Sequence, residues 1–286
     1  MGNPFIPFPR CENIIIVGDA AAEYLGALRI YGRGLIGDVP SMELLHPMEK
    51  HLECVSCFLN DPTQVLMPAV RRMKANFVVL EENGSADFNP AAGREALEKE
   101  GISVKILDVR GSTESVLRRA GKLFGEEKQA ERIIRERTER LAALDDVRKS
   151  IHKGQKAAIF LAIRSPVRHE SYVFRISERS ALSQLLTNTF AIENINVRPN
   201  AEERIPGIQE LDDLSELFEK NPDLIVYTGD AAACGQKITE FIRKHPQFAE
   251  CNAVKNGRIY GAPYYCHALD LRRHEILEAW SDVLAD

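Results

Sequence analysis

From Glu126 to Ile151 the sequence contains neither glycine nor proline and is dominated by strong helix formers. Apolar residues fall at Ala130, Ile133, Ile134, Leu141, Leu144, Val147 and Ile151, a helical spacing with one weak turn at Arg137-Thr138. At ~1.5 Å per residue, roughly 25 residues make a rod of roughly 35–40 Å. That exceeds an ordinary crossover helix and is enough to cross the width of two lobes. A solvated coiled-coil arm would need sustained heptads, which the segment lacks. The shorter helix Thr113 to Phe124 leads into the rod. A chain of 286 residues suits two lobes of roughly 100–150 residues each.

Both flanks alternate short apolar runs with helical stretches. Before the rod, Asn13 to Val17, Leu35 to Gly37, Phe77 to Leu80 and Ile102 to Leu107 read as strands. Helical stretches follow or separate them at Ala20 to Leu28, Val65 to Met73 and Pro90 to Glu100. After it, Lys156 to Ile163, Ile192 to Val197 and Pro222 to Thr228 read as strands. Arg164 to Glu178 reads as a polar loop. Helices are expected at Ser180 to Thr189, Asp212 to Lys220, Cys234 to Lys244 and Leu269 to Leu284, with a tight turn at Asn256-Gly257. Continuous apolar runs bounded by turn residues are buried strands, and their alternation with helices implies parallel pairing. The fold class expected is therefore α/β, two lobes with mostly parallel sheets joined by one long backbone helix. The divisions are residues 1–124, 125–152 and 153–286.

A net charge of -5 with mixed signs gives no footprint for nucleic acid. No stretch approaches the roughly 20 apolar residues of a membrane span. The opening MGNPFIPFPR has neither the charged nor the apolar region of a leader peptide. Either the protein is cytosolic, or this is a mature form whose export signal has been removed. Six cysteines are too few for a disulfide scaffold at this length. His46, His51, Cys54 and Cys57 cluster as H-x4-H-x2-C-x2-C, which is open to three readings: a transition-metal site, a Cys54–Cys57 disulfide, or unpaired packing. No P-loop, G-x-S-x-G or G-x-G-x-x-G occurs, so no enzyme activity is expected.

The order of these segments resembles the class III periplasmic solute-binding proteins of ABC importers, the helical-backbone receptors for siderophores, haem and cobalamin. Glu12 to Val17, Glu23-Tyr24-Leu25 and Leu35-Ile36-Gly37 resemble the family's first strand, first helix and return strand. Leu123-Phe124-Gly125 with Ala130 and Ile133 resembles its lead-in to the long helix. In the second half, Ser180 to Leu186 with Asn194, Asn221 to Val226, and above all Cys251 to Tyr260 resemble its segments. The resemblance implies a monomeric extracytoplasmic receptor that binds a metal chelate between its lobes, performs no chemistry, needs no cofactor and docks on an importer permease. A rod of this kind implies small closure motions. Family members carry a docking glutamate on each lobe; the matching neighbourhood in the second lobe holds Asp212, Asp213 and Glu216, of which Asp213 and Glu216 are the docking candidates. In the first lobe the corresponding entry reads Lys74-Ala75-Asn76 and lacks the pattern. The other possibility is a cytosolic two-lobed α/β protein handling a metal cofactor or tetrapyrrole.

Ligands of open α/β sheets meet the loops at strand ends. Arg164, Arg168, His169, Tyr172, Arg175 and Arg179 share one connection, where guanidinium groups would clamp anionic groups or else pair with Glu170 and Glu178 at the surface. Tyr264, Tyr265 and His267 would supply an aromatic wall or an axial metal ligand, or merely edge the cleft. Asp19 and Asp38, after Gly18 and Gly37, would form the first lobe's rim.

Overall fold

The computed structural model describes residues 10–37, 49–150, 154–164, 170–196, 198, 203, 207–211, 213–261 and 270–285. The chain forms two compact units, Met1–Arg140 with Cys266–Leu271, and Leu141–Tyr265 with Arg272–Asp286. Among the described residues no helix is long and apolar enough to cross a membrane.

The first unit runs β1 (Arg10–Cys11), β2 (Ile14–Val17), α1 (Asp19–Ala27), β3 (Ile30–Tyr31), β4 (Gly34–Ile36), β5 (Lys50–Glu53), α2 (Val55–Asn60) and α3 (Pro62–Met73). It continues with β6 (Phe77–Glu82), α4 (Arg94–Lys99), β7 (Val104–Asp108), α5 (Thr113–Phe124) and the start of α6 (Glu127–Ser150), whose residues from Leu141 on belong to the second unit. Five strands pair in the order β5-β4-β2-β6-β7, all parallel. Their continuous apolar runs follow from burial on both faces. Ile14 and Ile16 pack with α1 and α5 in one core, while Ile15 and Val17 pack with α2 and α3 in the other. Val79 joins the first core and its neighbours Val78 and Leu80 the second, the two-residue period of a strand. Full burial of each such side chain contributes about 1.5–3 kcal/mol.

Gly125 separates the last two helices by adopting φ 72, the left-handed C-cap conformation. The weak turn of the long helix has a physical reason. Arg137, only 6% exposed, replaces an apolar residue there and binds Glu114 Oε1 at 2.8 Å and Asp270 Oδ2 at 2.8 Å. It also donates to the Asp270 carbonyl, and Thr113 Oγ1 donates to Asp270 Oδ2 at 2.6 Å. Leu271 packs into the first core beside this cluster. Residues from the end of the chain therefore complete the first unit.

The second unit contains β8 (Lys156–Arg164), β9 (Ser171–Ile176), α7 (Ala181–Phe190), β10 (Glu193–Asn194), β11 (Ile208–Glu210), α8 (Ser215–Phe218) and β12 (Leu224–Gly229). It closes with α9 (Ala231–Lys244), α10 (Asn252–Lys255), β13 (Ile259–Gly261) and α11 (Arg273–Ala285). The sheet order is β11-β9-β8-β12-β13, with β10 also on β8. Strands β8, β10, β12 and β13 are parallel, whereas β9 runs antiparallel to both β8 and β11. The expected polar loop is thus corrected: Ser171–Ile176 is a strand returning along β8. One edge of β8 is shared, with β9 taking Phe160–Arg164 and β10 taking Lys156–Ala157. At the junction the buried Asn194 and Asn196 amides donate to the Ile176 carbonyl at 3.1 and 2.9 Å. Leaving that carbonyl unpaired in the interior would cost free energy. The expected last helix begins later than Leu269, with residues 270–272 in a turn.

Candidate functional site

Parallel strands place their C-terminal ends on one edge, where ligands of such sheets bind. In the first unit that edge carries Gly18-Asp19 after β2, Gly37 after β4, Glu53 on β5, Glu81 and Glu82 on β6, and Asp108 on β7. Gly18 holds φ 120, and a Cβ there would overlap the Glu81 side chain, so only glycine fits. Glu81 is 5% exposed; its Oε2 accepts from the Ala21 amide and its Oε1 from Asn83 Nδ2, both at 2.9 Å. Asp19 is 4% exposed and packs against Gly37, so it shapes the edge from within and presents little surface.

Farther along the same edge, Glu82 accepts from Asn89 Nδ2 with both oxygens, at 3.0 and 3.1 Å. Arg110 grips Asp108 with two parallel bonds of 2.9 Å, and Arg119 Nε donates to the Asp108 carbonyl at 2.8 Å. The Arg110 guanidinium holds the Asp108 carboxyl down at about 2. Sequence reasoning missed Glu81, Asp108 and Arg110. The available signal was an acid placed directly at the end of an apolar run, in Leu80-Glu81-Glu82 and Leu107-Asp108.

In the second unit the corresponding edge carries Arg164, exposed at the end of β8. Its Nη2 donates to Gln236 Oε1 at 3.3 Å, and the Ser171 hydroxyl donates to the same oxygen at 3.2 Å. Gly229, at φ 89, closes β12, and Asp230 then caps α9 by accepting from the Ala233 amide at 2.8 Å. Tyr172 lies on β9 and donates to Glu170. Tyr172 and Asp213 line one depression of about 340 Å³ together with Lys237, Phe241 and His245. Asp213 accepts from the Ser215 amide at 3.1 Å, which lowers its carboxyl from the ordinary value.

Two arginines expected beside Arg164 are elsewhere. Arg175 pairs with Phe160 in the β8–β9 ladder and is 1% exposed, about 13 Å back from the strand end at ~3.3 Å per residue. Its Nη1 and Nη2 donate to Glu216 Oε1 and Oε2 at 3.2 and 2.9 Å. This lowers the Glu216 carboxyl, so a proposed ligand clamp and a proposed docking acid hold each other. Arg179, farther back still, pairs with Glu203 at 3.2 Å. Glu203, which the sequence did not single out, also accepts from Ser177 Oγ, the Gly207 amide and Gln209 Nε2. Asp38, Arg168, His169, Asp212, Tyr264, Tyr265 and His267 lie outside the described residues.

Cys54 and Cys57 are free thiols. Cys54 caps α2, its Sγ accepting from the Cys57 amide at 3.3 Å. A side-chain hydrogen bond with Cys54 and the charge of the Cys54 sulfur push the Cys57 thiol up to about 11. His51 Nε2 bonds the Gly37 carbonyl at 3.0 Å, and His46 lies outside the described residues.

The chain belongs to the periplasmic binding protein family, whose sequence pattern matches residues 78–265. These are solute-binding proteins and not enzymes. Solved structures share the fold over nearly their whole length. Periplasmic heme-binding protein RhuT from Roseiflexus sp. RS-1 has 13% identity and TM-score 0.66, covering 96% of this chain and 98% of that one. A periplasmic heme-binding protein from Pseudomonas aeruginosa has 14% identity and TM-score 0.63, covering 97% and 92%. The triscatecholate siderophore-binding protein FeuA from Bacillus subtilis, complexed with ferri-bacillibactin, has 19% identity and TM-score 0.60, covering 98% and 94%. No curated protein sequence matches the chain.

Proposed function

We propose that this chain is the extracytoplasmic substrate-binding component of an ABC importer and that it takes up an anionic metal chelate: a ferric siderophore, haem, cobalamin or a related complex. The observation that carries the reading is Arg164. It is an exposed guanidinium at the C-terminal end of β8, steadied by Gln236, where an open α/β sheet meets its ligand. Planar paired donors suit carboxylate and catecholate oxygens. The heme and siderophore named for the structural relatives support the same class of cargo. Binding would proceed without covalent chemistry. Asp213, exposed at the entry to α8, is the docking acid for a permease arginine, since the Glu216 carboxylate is engaged by Arg175.

The test is a thermal-shift and absorbance titration of the purified chain with haemin, cobalamin and several ferric siderophores. A ligand that binds only the folded state raises Tm by mass action. One chelate should give a saturable shift, weakened at least roughly tenfold by Arg164→Ala, the loss expected for one charge-assisted contact. Absence of a shift with every chelate would overturn the reading.

A further inference from the structure

The chelate reading leaves Glu53, Cys54 and Cys57 without a role. Their ligand atoms, one carboxylate oxygen and two sulfurs, all lie within 4.8 Å of one another. Bonds of ~2.3 Å to sulfur and ~2.1 Å to oxygen would set the donor atoms of a tetrahedral zinc site about 3.4–3.8 Å apart. The three atoms therefore need to close by about 1.4 Å at most, within the reach of side-chain rotation.

We propose that Glu53, Cys54 and Cys57 form a binding site for a soft divalent cation of the zinc type, distinct from the Arg164 contact that carries the chelate reading. Two sulfurs and one carboxylate select zinc or cadmium over magnesium or calcium, which prefer oxygen alone. The local backbone already gathers the donors. Cys54 sits at the cap of α2 with Cys57 one turn on, and the Cys54 amide donates to Glu53 Oε1 at 3.1 Å. Cys57 is exposed and Cys54 half-buried, so a cation reaches them from solvent. On binding, each thiol gives up its proton to solvent as its sulfur–metal bond forms, and Glu53 binds through a carboxylate oxygen. No electron is transferred. Three protein donors leave the fourth tetrahedral position to water.

The site lies at the strand-end edge of the first unit. The Glu53 carbonyl accepts from the Gly37 amide at 3.1 Å, and Glu53 pairs with Ile36 across β4 and β5. A bound cation would therefore add positive charge to an edge whose other strand ends carry Asp19, Glu81, Glu82 and Asp108.

The experiment is a titration of the tag-free, reduced, chelate-free chain with Co²⁺, read by thiolate-to-cobalt charge-transfer and ligand-field bands, followed by displacement with Zn²⁺. One equivalent of Co²⁺ should give tetrahedral bands that Zn²⁺ abolishes. Cys57→Ser should remove the bands. Glu53→Gln should weaken binding at least roughly tenfold, the low end of what loss of even an outer hydrogen-bond partner costs a metal site. Cys54→Ser keeps a good helix cap, so that variant should fold and also lose the bands. No thiolate bands with the reduced chain, or bands and Zn²⁺ stoichiometry unchanged in Cys54→Ser/Cys57→Ser, would overturn the proposal. Haemin or siderophore binding is read separately in Cys54→Ser and Cys57→Ser, whose thiols the chelate reading does not use, and should be unchanged.

Discussion

Arg175 and Glu216 bind each other through two parallel hydrogen bonds, with the guanidinium 1% exposed and the carboxylate 43% exposed. Removing the acid leaves a cation in the interior. A fully buried pair broken this way costs roughly 3–5 kcal/mol, and the open side of Glu216 reduces this to about 2 kcal/mol. Glu216→Ala should show that loss in urea unfolding. Arg175→Met with Glu216→Leu should cost less than Glu216→Ala alone, because apolar replacements leave no orphaned charge.

Asp108, Glu203 and Glu216 all have carboxyls held below their ordinary values, by Arg110, by Ser177 and the Gly207 amide, and by Arg175. A depressed folded value means the folded state favours the ionised form. Their contribution is present in full above the unfolded values, roughly 4, and is lost as pH falls through the folded values. Stability should therefore drop between about pH 4 and pH 2. Arg110→Ala should move the Asp108 titration, followed by carboxyl-detected NMR, from about 2 back toward the ordinary range.

Gly18→Ala should be among the most damaging single-methyl changes in the first unit. It forces an alanine to φ 120 and drives its Cβ into Glu81. Strain and overpacking each cost roughly 1–3 kcal/mol. A fall in the urea midpoint should accompany a weakened Glu81–Ala21 bond, seen as faster exchange of the Ala21 amide. Unchanged exchange at that amide would contradict the assigned contact.

The two exposed arginines of the β8–β9 region should behave oppositely toward a chelate. Arg164→Ala should weaken binding, whereas Arg179→Ala, beyond the far end of β9 and paired with Glu203, should leave Kd unchanged. Isothermal titration with the chelate that shifts Tm separates them. Equal losses would show that register along β9 does not decide access to ligand.

Helix α6 was legible because Glu126–Ile151 lacks breakers and Gly125 stops the helix before it; the Arg137 gap in its pattern was legible only as a weakness. Its cause, a clamp on Asp270, joins residues 133 apart and has no local signal. The parallel strands were legible because burial on both faces leaves unbroken apolar runs such as Ile14–Val17. Strand β9 was not, because its arginine counts as polar in sequence yet is neutralised by Glu216 in the fold. The β-branched and aromatic content of Ser171-Tyr172-Val173-Phe174-Arg175-Ile176 was the available clue. Sequence grouped Arg164, Arg175 and Arg179 in one connection, whereas the fold has Arg164 as the last residue of β8, Arg175 inside β9 and Arg179 beyond it, because the pairing of β9 with β8 has no local signal.

The grip of Arg137 on Asp270 has a consequence for biogenesis. At 5–20 residues per second, the ribosome needs on the order of ten seconds after making Arg137 to reach its partner. For that interval the first unit waits with an ion cluster unfinished and the place of Leu271 unfilled. The first core is thus completed by residues made more than a hundred positions after the helix they lock, so its final packing is timed by synthesis of the second unit.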